Sequence, residues 1–298
     1  MTNQHVPNSG SRLAVGTVIV LISTIVWASA GLFVRLLPFD IWSIIVWRNC
    51  FAVLFVGGYV LYRLRGETLV AIRKLGRPGW FATACSTFTI IAFPAAFQHA
   101  SVGNVVTIYA SLPFVTAALE WLLYHSRPSL ATLAAGALAL AGIAIMVGPT
   151  AGGPQLGDLL ALLSTISMAL MTVTIRRHSH INMLPVALLS IFISGFIAWP
   201  LAQHLGDFGT RDFVVAAGFA LFPLTLGLML YVIGSALIPA TLSALIQTLE
   251  APFGVFWAWI GVAEVPPAAT MIGGVLVLCG VFGRLLLESS DPDTDNVT

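Results

Sequence analysis

Ser243, Gln247 and Glu250 stand at i, i+4 and i+7 inside an otherwise apolar stretch. On a helix that spacing puts a hydroxyl, an amide and a carboxyl on one face. Such a set can orient a small polar molecule, and its carboxyl can meet an amine or carry a proton. It can equally hold a neutral Glu250 bonded to a helix backbone. Asn104, Thr107 and Ser111 form a comparable set earlier in the chain, and each set is followed by a proline, Pro113 or Pro252. A proline inside a helix removes one backbone hydrogen bond and frees a carbonyl about four residues earlier, here at Tyr109 or Thr248. A freed carbonyl can bind a substrate ammonium. The same prolines also read as kinks or gating points that help two helices pack, with neighbours satisfying the backbone.

Further hydroxyls and aromatics recur at helical spacing. Ser86, Thr89 and Phe93 stand at i, i+3 and i+7, and Ser23 with Trp27 has a counterpart in Ser164 with Met168. Together they predict a cavity with aromatic walls and a few hydroxyls, suited to a small amphipathic zwitterion. Arg48 reads as a structural counter-ion or as a carboxylate anchor. Glu120 reads as a side chain snorkelling to the surface, and Trp80, Trp199 and Trp257 as aromatics near span ends or lipid. Cys50, Cys85 and Cys279 lie in apolar runs without a CxxC pair and read as packing.

No catalytic set can be assembled. The one lysine, Lys74, and the pair His178/His180 fall in turns. A phosphate-binding Gly-x-x-x-x-Gly-Lys loop is absent, so no nucleotide drives the protein directly. The expectation is therefore no metal, no cofactor and no enzyme activity.

The elements that must position these residues follow from composition. Of 298 residues, 58% are hydrophobic and 8% charged, with a mean hydropathy of +0.96. Soluble domains carry about 25% charged residues. A soluble enzyme and a disordered chain are excluded, and a net charge of +1 offers no surface for nucleic acid. The chain reads as an all-α, polytopic membrane protein. Apolar runs long enough to span, roughly 20 residues each, predict ten transmembrane helices at 13–34, 41–62, 79–98, 101–123, 129–148, 156–176, 184–205, 212–234, 240–262 and 267–287. The first run is too long for a signal-peptide core and reads as a retained span.

Lys and Arg set the orientation. With the N-terminus inside, ten of 13 basic residues fall in cytoplasmic segments, Arg35 and Arg211 fall outside, and Arg48 lies within a span. Both termini are expected in the cytoplasm, in a plasma (inner) membrane. The loops leave no room for an extramembrane domain.

The two halves resemble each other. Gly16, Ser23, Trp27 and Arg35 align with Gly157, Ser164, Met168 and Arg176; SLPF at 111–114 faces EAPF at 250–253; and Gly136/Gly142 matches Gly274/Gly280. Five spans per half, an odd number, force the second half upside down. The fold expected is a 5+5 inverted repeat, with residues 13–148 and 156–287 as the repeats and polar tails at 1–12 and 288–298. Inverted repeats are the design of secondary transporters, with the substrate site near the midplane between the halves.

On these residues the chain resembles the EamA-type transporters of the drug/metabolite transporter superfamily. Trp27-Ala-Ser is similar to the family's aromatic–small–small opening. Arg48 stands where the family often has an arginine, and residues 247–281 resemble its Glu/Ser-x-Pro helix, Gly-x-x-Glu turn and glycine-rich last helix. The first repeat departs from this pattern, with His125 at the place matched to Glu264, which reads as a solvated or capping loop carboxylate. The resemblance implies efflux of small metabolites, often amino acids, with YddG-type amino-acid exporters the nearest subgroup. The partners expected are a small-molecule substrate and the lipid bilayer, with the chain acting as a monomer. Export of another metabolite or drug, a membrane-embedded enzyme and a channel are the competing readings.

Overall fold

In a computed structural model, residues 9–64, 67–100, 102–126, 129–147, 156–181, 183–263 and 265–290 are described. They are helical and short-looped, with no strand among them. The helices run α1 (Ser9–Ala28), α2 (Ala30–Leu36), α3 (Ile41–Leu64), α4 (Thr68–Lys74), α5 (Gly76–His99), α6 (Val102–Tyr109), α7 (Leu112–Tyr124), α8 (Leu130–Val147), α9 (Leu156–Arg177) and α10 (Leu184–Ala198). They continue as α11 (Thr210–Phe219), a π-helical stretch Ala220–Gly227, α12 (Leu228–Ser235), α13 (Ala240–Gln247), α14 (Glu250–Val262) and α15 (Ala268–Ser290).

Eight helical segments are long and apolar enough to cross a membrane. They match eight of the ten expected spans. The run expected at 129–148 forms the shorter α8, and the run at 240–262 forms two helices, α13 and α14. Glu264 lies outside the described residues.

Each interruption has a local cause. Pro113 sits in the first turn of α7, and the chain breaks between Tyr109 and Leu112. Pro252 sits in the first turn of α14, and the chain breaks between Gln247 and Glu250. A proline is tolerated in a first turn, where its N–H has no intrahelical partner. In both breaks a hydroxyl folds back on the preceding turn: Ser111 Oγ donates to the Ile108 carbonyl at 2.6 Å and Thr248 Oγ1 to the Leu245 carbonyl at 2.7 Å. Around Pro223 the chain widens into the π turn, which rehouses the carbonyls left by the missing N–H.

Packing follows a two-fold pattern. A Cβ on Gly142 would meet the Gly273 carbonyl oxygen at 2.6 Å, and one on Gly280 would meet the Ala135 carbonyl oxygen at 2.9 Å, so α8 and α15 cross with backbones nearly touching. Gly136 faces Pro113, and its mate Gly274 faces Pro252, each with a Cβ-to-proline distance of 3.5 Å. Gly157 nests against Ala96 and Ala100 of α5, while Gly16 nests against Gly234 and Ile238 beyond the π stretch. α7 and α14 both end in left-handed residues, His125 at φ 55° and Ala263 at φ 56°. The structural counterpart of His125 is therefore Ala263, one residue before the position expected from the sequence.

Two side chains read as peripheral have internal roles. Trp257 Nε1 donates to the Ile25 carbonyl at 2.9 Å and ties α14 to α1, whereas Trp80 and Trp199 are exposed as expected. Of the cysteines expected as core packing, only Cys85 is buried; Cys50 and Cys279 face outward.

Candidate functional site

The singled-out residues fall on α1, α5, α6, α9, α13 and α14, with Ser111 in the first helix break. α9 packs on α5, α6, α7 and α13, so hydroxyls on one reach the others. Thr89 Oγ1 donates to the Ser164 carbonyl at 3.4 Å, and in the mirrored place Ser23 Oγ donates to the Gly227 carbonyl at 2.7 Å. These two bonds join the first and eighth spans, and the third and sixth, in the same register.

Aromatic rings fill the space between. Trp27 meets Tyr231 edge-on, with centroids 5.8 Å apart, and Phe93 meets Tyr109 at 4.7 Å. The Tyr231 hydroxyl is hydrogen-bonded to Thr172 Oγ1 at 2.5 Å, and Thr172 donates in turn to the Met168 carbonyl at 2.8 Å. Tyr109 lies within electrostatic range of both Glu250 and Tyr231. Trp27, Tyr231, Tyr109 and Glu250 therefore form one neighbourhood.

Tyr109, Thr172 and Tyr231 are the members that sequence reasoning missed. The repeat could have found Tyr231: in the register that pairs Thr89 with Gly227, Tyr231 is the mate of Phe93. The sequence marked only the backbone carbonyl of Tyr109, through Pro113; nothing in the spacing marked its ring, or Thr172, as more than packing.

Ser164 Oγ, Ser243 Oγ and Gln247 Oε1 are buried and have no hydrogen-bond partner among the described residues. Buried polar atoms are nearly always paired, and leaving one bare costs about 1–3 kcal/mol. Of eight such atoms among the described residues, these three lie on the packed helices α9 and α13. Ser86 and Met168 are buried beside them, while Phe93, Thr107, Ser111 and Glu250 are partly buried. The side chain of Asn104 is outside the described ones.

The expected single stripe is divided. Ser243 and Gln247 belong to α13, and Glu250 opens α14 beyond the break. Thr248, expected to offer a free carbonyl, has that oxygen accepting from the Ala251 N–H at 3.4 Å. Ser111 has its hydroxyl proton engaged with Ile108, leaving only its lone pairs for another group.

Near the Arg176 end, Glu120 does not snorkel to the surface. It is partly buried and lies within electrostatic range of Arg176. Arg176 in turn donates to the Ala236 carbonyl at 3.0 Å. Arg176 on α9 thus links Glu120 of α7 to the turn that precedes α13. At the same end a groove of about 470 Å³ opens between Tyr59, Arg63, Met183 and Val232; none of the singled-out residues lines it.

At the opposite end, Asp40 accepts from Ser43 N–H at 3.0 Å and Ser43 Oγ at 2.5 Å, and meets His204 Nδ1 at 2.9 Å. Burial pushes its carboxyl up, but the bonds from Ser43, His204 and the Gln203 backbone outweigh that and hold it below the ordinary carboxylate value. Phe39 stacks on Phe208 at 4.0 Å, and Trp47 meets Phe213 at 4.7 Å. An aromatic cluster thus covers that end.

A family model described as the EamA-like transporter family matches residues 14–148 and again 155–286. The chain belongs to the EamA-like transporter family. It is an integral, multi-pass member with the two-repeat architecture, and its partners are small-molecule substrates in a membrane. One solved crystal structure, described only as that of a protein, matches with a TM-score of 0.78. It is 14% identical and covers 94% of this chain and 99% of its own, which establishes a shared fold. No curated protein sequence matches.

Proposed function

We propose that this EamA-family transporter exports small metabolites, foremost neutral or aromatic amino acids, by alternating access at a midplane site between its two repeats. The reading places the chain in the plasma membrane with both termini in the cytoplasm, as ten spans in a 5+5 inverted arrangement. Residues 13–148 and 156–287 are the repeats, and the chain works as a monomer.

One observation carries it: among the described residues Ser164, Ser243 and Gln247 present buried, unpartnered polar atoms on α9 and α13, and α9 also holds Tyr231, which meets Trp27, through Thr172. A ligand with both polar and aromatic parts would satisfy the first group and stack on the second. Glu250 would meet the amine, and the hydroxyls of Ser86, Thr89, Thr107 and Ser111, with Asn104, would line the route. Phe93 and Met168 would form the apolar wall. Pro113 and Pro252, each opening the second half of a broken helix, would be the points about which those helices rock. Family membership supports the transport class, and the site chemistry supports the cargo.

Expression should lower the intracellular pool of such an amino acid and protect cells against its toxic analogues. Glu250→Gln and Gln247→Ala should each abolish most of that protection at equal membrane abundance. A metabolite comparison of cells with and without the protein that finds no amino acid changed would reject this cargo.

A further inference from the structure

Among the described residues, Arg48 has no ion pair. It lies on α3, within the bundle, and is only 6% exposed. Its Nε donates to Asn49 Oδ1 at 3.2 Å, and its Cζ lies 5.0 Å from the centroid of the Phe219 ring. Its Nη2 has no partner among the described residues.

A buried guanidinium inside a membrane is costly unless paired. A cation–π contact returns only part of that cost, well short of an ion pair. Of the nearby acids, Asp207 is exposed, and two others are engaged elsewhere. Asp40 holds Ser43 and His204, and Asp212 caps its own helix through the Gly209 N–H at 3.0 Å.

The surroundings fix the arginine rather than neutralise it. Asn49 donates to the Ile191 carbonyl at 3.0 Å and to Ser194 Oγ at 2.8 Å, so the amide that holds Nε is itself anchored to α10. The Phe219 ring covers a face of the guanidinium, and a face contact leaves the planar N–H edge available to a carboxylate. Phe219 is also the last residue of α11 before the π turn, a feature common at functional sites. In that turn Thr225 Oγ1 is a second buried polar atom without a partner. At its far end Gly227 borders Trp27.

We propose that Arg48 is a carboxylate-binding site, taking the acid group of the carried molecule on its Nη2 edge. This rests on the transporter reading and narrows its substrate class to molecules bearing a carboxylate. It explains why the guanidinium is held in a fixed pose with one edge bare. Arg176, by contrast, has its Nη1 bonded to the Ala236 carbonyl.

The test uses purified protein in detergent and three acid/amide pairs: acetate with acetamide, 3-phenylpropionate with 3-phenylpropionamide, and L-phenylalanine with its amide. Thermal stabilisation is titrated at constant ionic strength. A charge-assisted hydrogen bond is worth about 1.5–3 kcal/mol, or roughly tenfold or more in affinity. Wild type should prefer at least one acid over its amide by that factor. Arg48→Gln should lose the preference to within about twofold, Arg48→Lys should retain part of it, and Phe219→Leu should lower the baseline Tm while keeping it. An equal preference in wild type and Arg48→Gln, or none in wild type, overturns the proposal. Acid-selective stabilisation without amino-acid flux in vesicles would instead sink the transport reading and leave the anion site standing.

Discussion

Gln247 is the residue at which stability and function should separate. Its Oε1 is buried and bare, so the native fold bears a desolvation cost that an apolar isostere removes. Gln247→Met should leave Tm unchanged or raise it slightly, by the equivalent of a few tenths to about 1 kcal/mol. Transport should fall at least tenfold. Circular dichroism melts beside flux assays decide the matter; loss of stability in step with activity would mean that Gln247 is a packing residue.

Asp40 behaves in the opposite way, because its bonds are made within the protein. Its folded-state carboxyl titrates below the ordinary value of 3.8. Its contribution is therefore complete above that value and disappears as the pH falls through the lower, folded one. Asp40→Asn should cost about 1–3 kcal/mol at neutral pH. Melting curves of the two proteins should converge only below pH 3.8. A constant gap across that range would show that the loss is steric rather than electrostatic.

At the level of elements, the crossing of α8 with α15 sets the tightest geometric limit. Gly142→Ala and Gly280→Ala each drive a methyl into the opposing backbone. Overpacking of this kind costs about 1–3 kcal/mol, and the pseudo-symmetry predicts similar losses for both. Gly283→Ala on α15, with open space around its Cα, should be neutral or mildly stabilising. Thermal melts of the three variants check the pattern. A loss confined to one of the first two would mean that the repeats are not packed equivalently.

The broken helices also mark how far the sequence could be read. Pro113 and Pro252 announced two interruptions, and both occur beside them. The stripe Ser243–Gln247–Glu250 assumed an unbroken helix, so the position of Glu250 after the break could not follow from spacing. The offers expected of Thr248 and Ser111 were partly taken up by local hydrogen bonds, which spacing does not encode. Glu120 was misread because the arginine it faces, Arg176, lies on another helix, α9. Trp257 was misread for the same reason, since its acceptor is on α1. Repeat signatures were legible because Gly and Pro mark backbone geometry directly. Tyr109 and Thr172 were not, because an aromatic or a hydroxyl acquires a role only from its neighbours.

For the whole molecule, the asymmetry of Lys and Arg predicts the orientation. Reporter fusions at Gly153 and Gly209 should read as external, and those at Gly66 and Ser179 as cytoplasmic. One reversed site would break both the ten-span arrangement and the inversion of the repeats.

Alternating access itself is tested most directly by counterflow. Purified protein is reconstituted into vesicles loaded with unlabelled L-phenylalanine, then diluted into a trace of labelled L-phenylalanine. A carrier whose site faces one side at a time must draw label inward above its equilibrium level, transiently and saturably. Gln247→Met and Glu250→Gln vesicles should lose that overshoot. Equilibration of label without overshoot, at a rate that rises linearly with concentration, or no entry of label at all, would contradict the account.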